Sequence, residues 1–215
     1  MFEETLVKGA KDILAALGRS DILKGTYLVG GTAAALQLGH RVSVDFDFFT
    51  SKELIPKVFS ANLSKLGSFR VEQADKGTVL GVFEGVKFSL FSYKYPLVFP
   101  VVKYQALRIA DIRDIAAMKI DAIASRGAKR DFVDLYFICA AGFTLRDILK
   151  IYYKKYGKAA AGNIIHIQKS LVFFNDAEPE KMPRMLRRAE WGDVKRYFET
   201  EVKKLAGLIG NNKDQ

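Results

Sequence analysis

Apolar and polar residues follow two rhythms along this 215-residue chain, and the change of rhythm divides it. In the first half the rhythm is short. Residues 27–29, Tyr-Leu-Val, form a compact apolar run typical of a buried strand, and Gly30-Gly31 interrupts it. Thr32 opens an Ala/Leu-rich helical stretch to Leu38, which Gly39 closes. Residues 42–49 then alternate with period two, placing Val44, Phe46 and Phe48 on one face and Asp45 and Asp47 on the other. Further strands are expected over residues 69–73, 78–83 and 86–93, with Glu84-Gly85 as the tight turn between the last two. Flanking helices are expected over residues 3–17, ended by Gly18, and from the N-cap Ser51 to Leu66, with Pro56 kinking or delaying the second.

Beyond Pro96 and Pro100 the rhythm lengthens to that of helices. Residues 111–125 carry a stripe of Ile112, Ile115, Ala116, Ile120 and Ile123, and Lys119 falls on the same stripe. A lysine on an inward face needs an anionic partner, or it must extend past its neighbours to water. Helices follow over residues 130–140, 144–156 with Thr144 as N-cap, 162–174 and 192–206. The pattern predicts an α+β fold: a mixed sheet with packed helices in residues 1–102, then a helical domain in residues 103–215.

An apolar content of 49% suffices for a substantial core. No run of 18 apolar residues occurs and the N-terminus lacks a signal-peptide core, so the expectation is a soluble cytoplasmic protein with no membrane association. The single cysteine, Cys139, lies in an apolar run and reads as a buried hydrophobe rather than a nucleophile. The net charge of +10 is uneven: residues 1–102 hold 12 Lys and Arg against 10 Asp and Glu, residues 103–215 hold 22 against 14. The second half is therefore the one suited to a polyanion, with ordinary solubility as the simpler reading.

Asp45 and Asp47, side by side on one strand face, repel each other unless a cation lies between them. Mg²⁺ (or Mn²⁺) suits them, because it takes oxygen ligands and is held by one or two carboxylates together with substrate phosphates. Gly30, Gly31 and Thr32 stand where a helix begins, and there close backbone approach, unsatisfied N–H groups and the helix dipole favour an anion.

The ordered set Gly39, His40, Arg41, Ser43, Asp45, Asp47, Phe48 and Phe49 resembles the AbiEii/AbiGii-type toxin nucleotidyltransferases, which have the polymerase-β-type nucleotidyltransferase fold. A second run, Arg126, Gly127, Lys129, Arg130, Asp131, Phe132, Asp134 and Leu135, matches the same family. The resemblance implies transfer from an NTP, with Asp45 and Asp47 as metal ligands. It adds Lys119 and Asp131 to the catalytic set, Asp131 either holding a nearby cation in place or acting as base. Nucleotide contacts are implied at Gly30, Gly31, Thr32, Arg41, Ser43, Lys119, Arg126, Lys129 and Arg130, with His40 organising the site. It also implies an RNA acceptor, foremost the 3′ end of a tRNA, and a cognate antitoxin. The wider superfamily usually adds a third carboxylate from a neighbouring strand. Residues 86–93 contain no acid, which leaves Ser89 or Ser92 in that place, or Glu84 at the turn. A weakly catalytic nucleotide- or nucleic-acid-binding module, or a transferase acting on a small antibiotic, are the alternatives. Lys154, Lys155, Arg184, Arg187 and Arg188 are the expected RNA contacts, the three arginines sharing a helical face. His166 and Trp191 read as packing residues.

Overall fold

The computed structural model describes residues 1–157 and 164–210, with residues 206–210 as backbone only. The chain forms two compact units that divide between Ile115 and Ala116. The division falls later than residue 102 because two short strands beyond Pro100 belong to the sheet.

The first unit is built on seven strands: β1 (Thr26–Val29), β2 (Asp45–Thr50), β3 (Phe69–Asp75), β4 (Thr78–Phe83), β5 (Val86–Ser92), β6 (Val102–Tyr104) and β7 (Leu107–Ile109). Their order across the sheet is β3-β4-β5-β2-β1-β7-β6. β2 pairs in parallel with β5 and antiparallel with β1, and β7 runs parallel to β1. The β3–β4 and β4–β5 hairpins turn through residues at positive φ, Lys76-Gly77 and Glu84-Gly85. Two successive positive φ values match the twist of the flanking strands, and the second turn is where the sequence places it.

β2 alternates as the sequence requires, with Phe46, Phe48 and Thr50 buried and Asp45, Asp47 and Phe49 half-buried. Phe48 meets Phe88 of β5 at 5.5 Å between ring centroids, and Phe59 of α3 (Pro56–Leu66) stacks on Phe88 at 6.1 Å. Each buried aromatic side chain contributes roughly 1.5–3 kcal/mol, so this helix-covered face supplies the unit's core. Val44 does not share it: β2 begins at Asp45, and Val44 is 54% exposed. The segment just before β2 is instead held by the Ser43 N–H bond to the Thr5 carbonyl (2.9 Å).

Several helix ends differ from expectation. Residues 3–5 form a short 3₁₀ turn, Gly9 turns the chain at φ 83°, and α1 (Ala10–Arg19) starts only there and continues through Gly18. α2 (Gly30–Leu38) begins at Gly30 rather than Thr32, and Gly39 ends it in the left-handed conformation as read. α3 starts with Pro56 at its first turn, where the missing N–H costs nothing, so Ile55 and not Ser51 precedes it.

α4 (Ile112–Arg126) runs from the first unit into the second. The second unit continues with α5 (Lys129–Ala140), α6 (Leu145–Tyr156), α7 (Ile164–Ser170) and α8 (Trp191–Gly210). Thr144 caps α6 by accepting the Asp147 N–H at 3.1 Å. Phe132 is fully buried among Phe174 (5.2 Å), Phe198 (5.5 Å) and Trp191 (5.9 Å), so Trp191 is the packing anchor expected. Helix 162–174 was expected longer: its described part ends at Ser170, and Gly162 lies outside the described residues. Among the described residues no helix is long and apolar enough to cross a membrane.

Candidate active site

The end of β1, the start of α2 and the start of β2 meet in the first unit. Gly30 has φ 70°, a conformation that disfavours any side chain, and a Cβ there would lie 2.6 Å from Asp47 Oδ2. The Asp47 carboxylate thus lies against the backbone that opens α2, consistent with the Val29–Asp47 register of β1 and β2. Gly31 is constrained differently: a Cβ would clash with Nη2 of Arg41. Arg41 is buried, and its Nη1 donates to the Val42 carbonyl at 3.0 Å. Thr32 Oγ1 lies 2.9 Å from Ser43 Oγ and also bonds the Asp45 carbonyl, locking the first turn of α2 to β2. His40 is fully buried beside this group in the chain.

The structure therefore brings Gly30, Gly31, Thr32, Arg41, Ser43, Asp45 and Asp47 into one neighbourhood. A helix N-terminus, two glycines held free of side chains and a buried guanidinium give it donors for an anion. Two carboxylates on one face give it oxygen ligands for a cation. The β2–β5 register sets Ser89 beside Asp47 and Lys87 beside Asp45. Of the residues considered for the third acidic place, Ser89 is the one on this face; Ser92, three positions on, points to the other. Glu84 sits at the hairpin turn, where its Oε1 accepts the Ser68 N–H at 2.5 Å. Among the described residues no group of three His, Cys, Asp or Glu is placed to hold a metal ion. Lys87, exposed beside Asp45, escaped the sequence reading, although the alternation of residues 86–93 assigns it to this face.

In the second unit, Lys119 is buried and meets two carboxylates, Asp131 Oδ1 at 2.7 Å and Asp134 Oδ2 at 2.6 Å. Arg126, half in water, closes on Asp131 through Nε (2.8 Å) and Nη2 (3.1 Å). Asp134, which the sequence reading gave no role, completes the arrangement; its three-residue spacing from Asp131 was the available signal. Two cations and two anions balance, which permits burial that either charge alone would forbid. Burial opposes ionisation of Asp131 most strongly, but Lys119 and Arg126 together outweigh it and hold the carboxyl below the usual range. A carboxylate so held is a poor base, so of the two roles for Asp131 the geometry favours positioning Lys119 and Arg126.

A depressed folded pKa gives stability that is complete above the ordinary Asp value, about 3.9, and is lost as pH falls through the lower folded value. The melting temperature should therefore drop below about pH 4, and Asp131→Asn should flatten the drop. Thermal unfolding followed by circular dichroism between pH 2.5 and 7 checks it; parallel curves for the two proteins would remove Asp131 as the cause.

Other expected residues are placed otherwise. Lys129 is buried, with Nζ donating to the carbonyls of Glu178 (3.3 Å) and Glu180 and lying 4.9 Å from the centre of the Trp191 ring. Its amine fastens the segment before α8 rather than facing a phosphate. Arg130 is exposed. Lys155 is buried and unsuited to RNA, whereas Lys154 is exposed. Arg184, Arg187 and Arg188 are exposed but share no helix, because residues 181–190 are irregular. His166 is exposed on α7, with Nε2 3.2 Å from the Ala124 carbonyl, and is not a core residue. Cys139 is buried as expected, and burial pushes its thiol up to about 11.

Among solved structures, MenT4, a nucleotidyltransferase toxin of Mycobacterium tuberculosis H37Rv, is similar over 88% of this chain and 83% of its own, at 13% identity and a TM-score of 0.55. A Helicobacter pylori protein described as a candidate nucleotidyltransferase is similar over 93% of this chain and 95% of its own, at 18% identity and a TM-score of 0.54. At such identities the likeness concerns the fold, which is that of the nucleotidyltransferases. An uncharacterized protein of Aquifex aeolicus (strain VF5) is 38% identical over 203 residues, 92% of this chain and 96% of its own. The family model described as nucleotidyl transferase AbiEii toxin, Type IV toxin–antitoxin system, matches residues 93–206, and the chain belongs to that nucleotidyltransferase family.

Proposed function

We propose that the chain moves a nucleotidyl group from an NTP to a hydroxyl of RNA, foremost the 3′ end of a tRNA, in a reaction that depends on Mg²⁺ or Mn²⁺. The observation that carries this reading is the pair Asp45 and Asp47 on one face of β2, with Asp47 against the Gly30 backbone at the start of α2. Two carboxylates fit a cation that takes its remaining oxygens from phosphates and water. Bound there, the metal would draw the phosphate oxygens in and neutralise charge developing on them. The chain's own part is positioning. The opening N–H groups of α2 and the Arg41 guanidinium offer donors to phosphate oxygens, and the Thr32–Ser43 contact keeps that turn rigid. The acceptor hydroxyl oxygen attacks the α-phosphorus and gives up its proton to water, the bond from that phosphorus to the bridging oxygen breaks, and pyrophosphate leaves with the electron pair.

The RNA acceptor is supported by charge. Residues 116–215 hold 19 Lys and Arg against 12 Asp and Glu, so about +7 of the chain's +10 lies there. Membership of a toxin–antitoxin family supports a cognate antitoxin as partner. Radiolabelled NTP incubated with protein and total RNA, with Mg²⁺ or with a chelator, tests the reading: label should enter RNA only with the metal. RNA affinity should fall steeply from about 50 to 200 mM salt, since Lys and Arg contacts release counterions. Reversing Lys154, Arg184, Arg187 and Arg188 together should reduce RNA labelling and spare NTP binding. Labelling of a small hydroxyl compound in place of RNA would overturn the acceptor.

A second reading, binding without useful turnover, draws on Ser89 standing beside Asp47 where the superfamily usually has a third acid. Metal-dependent retention of NTP and RNA with no label transferred would establish it.

A further inference from the structure

The face of the sheet that carries Asp45 and Asp47 changes character along its strands. On β2 it presents Asp45, Asp47 and then Phe49; on β5 it presents Lys87, Ser89 and Phe91, and Tyr93 and Tyr95 follow in the chain. The parallel register sets Phe49 beside Phe91, two positions beyond the Asp47–Ser89 pair. The antiparallel register puts Tyr27 on its other flank. Tyr93 continues the strand path because its N–H bonds the Thr50 carbonyl at 2.8 Å. Tyr93 stacks on Phe49 at 4.2 Å between centroids, while Phe91 (5.9 Å) and Tyr27 (6.3 Å) meet Phe49 edge-on. Tyr95 meets Tyr93 at 5.6 Å. Phe49, Phe91, Tyr93 and Tyr95 are each only part-buried, whereas Phe46, Phe48 and Phe88, which build the core, lie fully buried on the opposite face.

One end of this face is thus ionic and the other aromatic. Two strand residues span about 7 Å, a length of the order that separates a nucleotide's phosphates from its base. We infer that the cluster of Phe49, Phe91, Tyr93 and Tyr95 is a stacking platform for a nucleobase, the base lying on the rings while its phosphate reaches the Asp45–Asp47 end. This rests on the nucleotidyl-transfer reading, which supplies the phosphate position. Stacking on a ring face suits any base, so the platform contributes affinity with little base preference. The base belongs either to the NTP or to the last nucleotide of the acceptor.

Equilibrium binding of each of the four NTPs and of inorganic tripolyphosphate, with Mg²⁺, separates the possibilities. Tyr93→Leu should weaken NTP binding about tenfold and leave tripolyphosphate binding unchanged, and Tyr93→Phe, which keeps the ring, should match the wild type. That result assigns the platform to the NTP base. If Tyr93→Leu spares NTP binding and instead raises the KM for tRNA about tenfold, with Tyr93→Phe again normal, the platform holds the acceptor base. Phe49→Leu serves as the second variant if Tyr93→Leu does not fold, as judged by its melting curve. Unchanged NTP binding and unchanged tRNA KM in a folded variant overturn the platform while the transfer reading stands. Failure of the wild type to bind either NTP or tripolyphosphate overturns the transfer reading and the platform with it.

Discussion

Asp45→Asn or Asp47→Asn should lower nucleotidyl transfer by about a hundredfold or more, because a bound metal supplies several kcal/mol of charge stabilisation and each 1.4 kcal/mol is a factor of ten. The fold should persist. What β2 gives to the core comes from Phe46, Phe48 and Thr50 on its other face, and asparagine keeps the shape of aspartate. The expected result is a protein with a native circular-dichroism spectrum and a cooperative melt that transfers no detectable label to RNA. A variant that labels RNA at the wild-type rate would remove the carboxylate pair from the reaction. If Asp47→Asn fails to fold, Asp47→Ser, which also removes the charge but is smaller against Gly30, should be folded and inactive.

Lys119→Met should behave in the opposite way, as a stability variant first. The methionine retains much of the stem, so packing is nearly conserved, but the buried carboxylates Asp131 and Asp134 lose the cation they share. Removing one partner from a buried ionic group typically costs about 3–5 kcal/mol. Chemical denaturation at pH 7 should show a loss of that order, and the loss should shrink as the pH falls and the carboxylates take up protons, which Lys→Met changes at exposed positions such as Lys154 should not show. A loss no larger than at Lys154 would mean that the carboxylates are satisfied without Lys119. Adding Asp134→Asn to Lys119→Met should restore part of the loss, since it removes one of the two stranded charges.

The parts of this fold and site that were legible from sequence share a local cause. The carboxylates of β2 could be placed on one face because a two-residue period survives in six residues. Gly39, Glu84-Gly85 and Thr144 could be assigned because their turn or cap chemistry is fixed by neighbours a few residues away. β6 and β7 were not seen, since three residues are too few to display a period. The first helix was started too early because residues 3–5 are charged and apolar in helical proportion, and only Gly9 at positive φ breaks the run. The placement of Lys129 is illegible for a different reason: its partners are main-chain carbonyls 49 and 51 residues away, which no side-chain pattern announces. Arg184, Arg187 and Arg188 had helical spacing in a segment that the structure leaves irregular. The aromatic run of β5 was read only as strand, and its placement beside β2 comes from a parallel register across distant residues.

The outermost strand carries a consequence for how the molecule keeps company. β3 lies at one end of the sheet, yet its pairing with β4 slips between Val71 and Gln73, and it bears Arg70, Glu72, Gln73 and Asp75, with Arg70 and Glu72 paired at 3.0 Å. An irregular, charged border is a poor template for another chain's strand. The opposite border, β6, offers only three residues. Sheet extension, a common way for one protein to capture another, is therefore discouraged at both ends. A neutralising protein would have to grip side chains rather than continue the backbone ladder, and copies of the chain crowded together in a cell would resist fusing edge to edge.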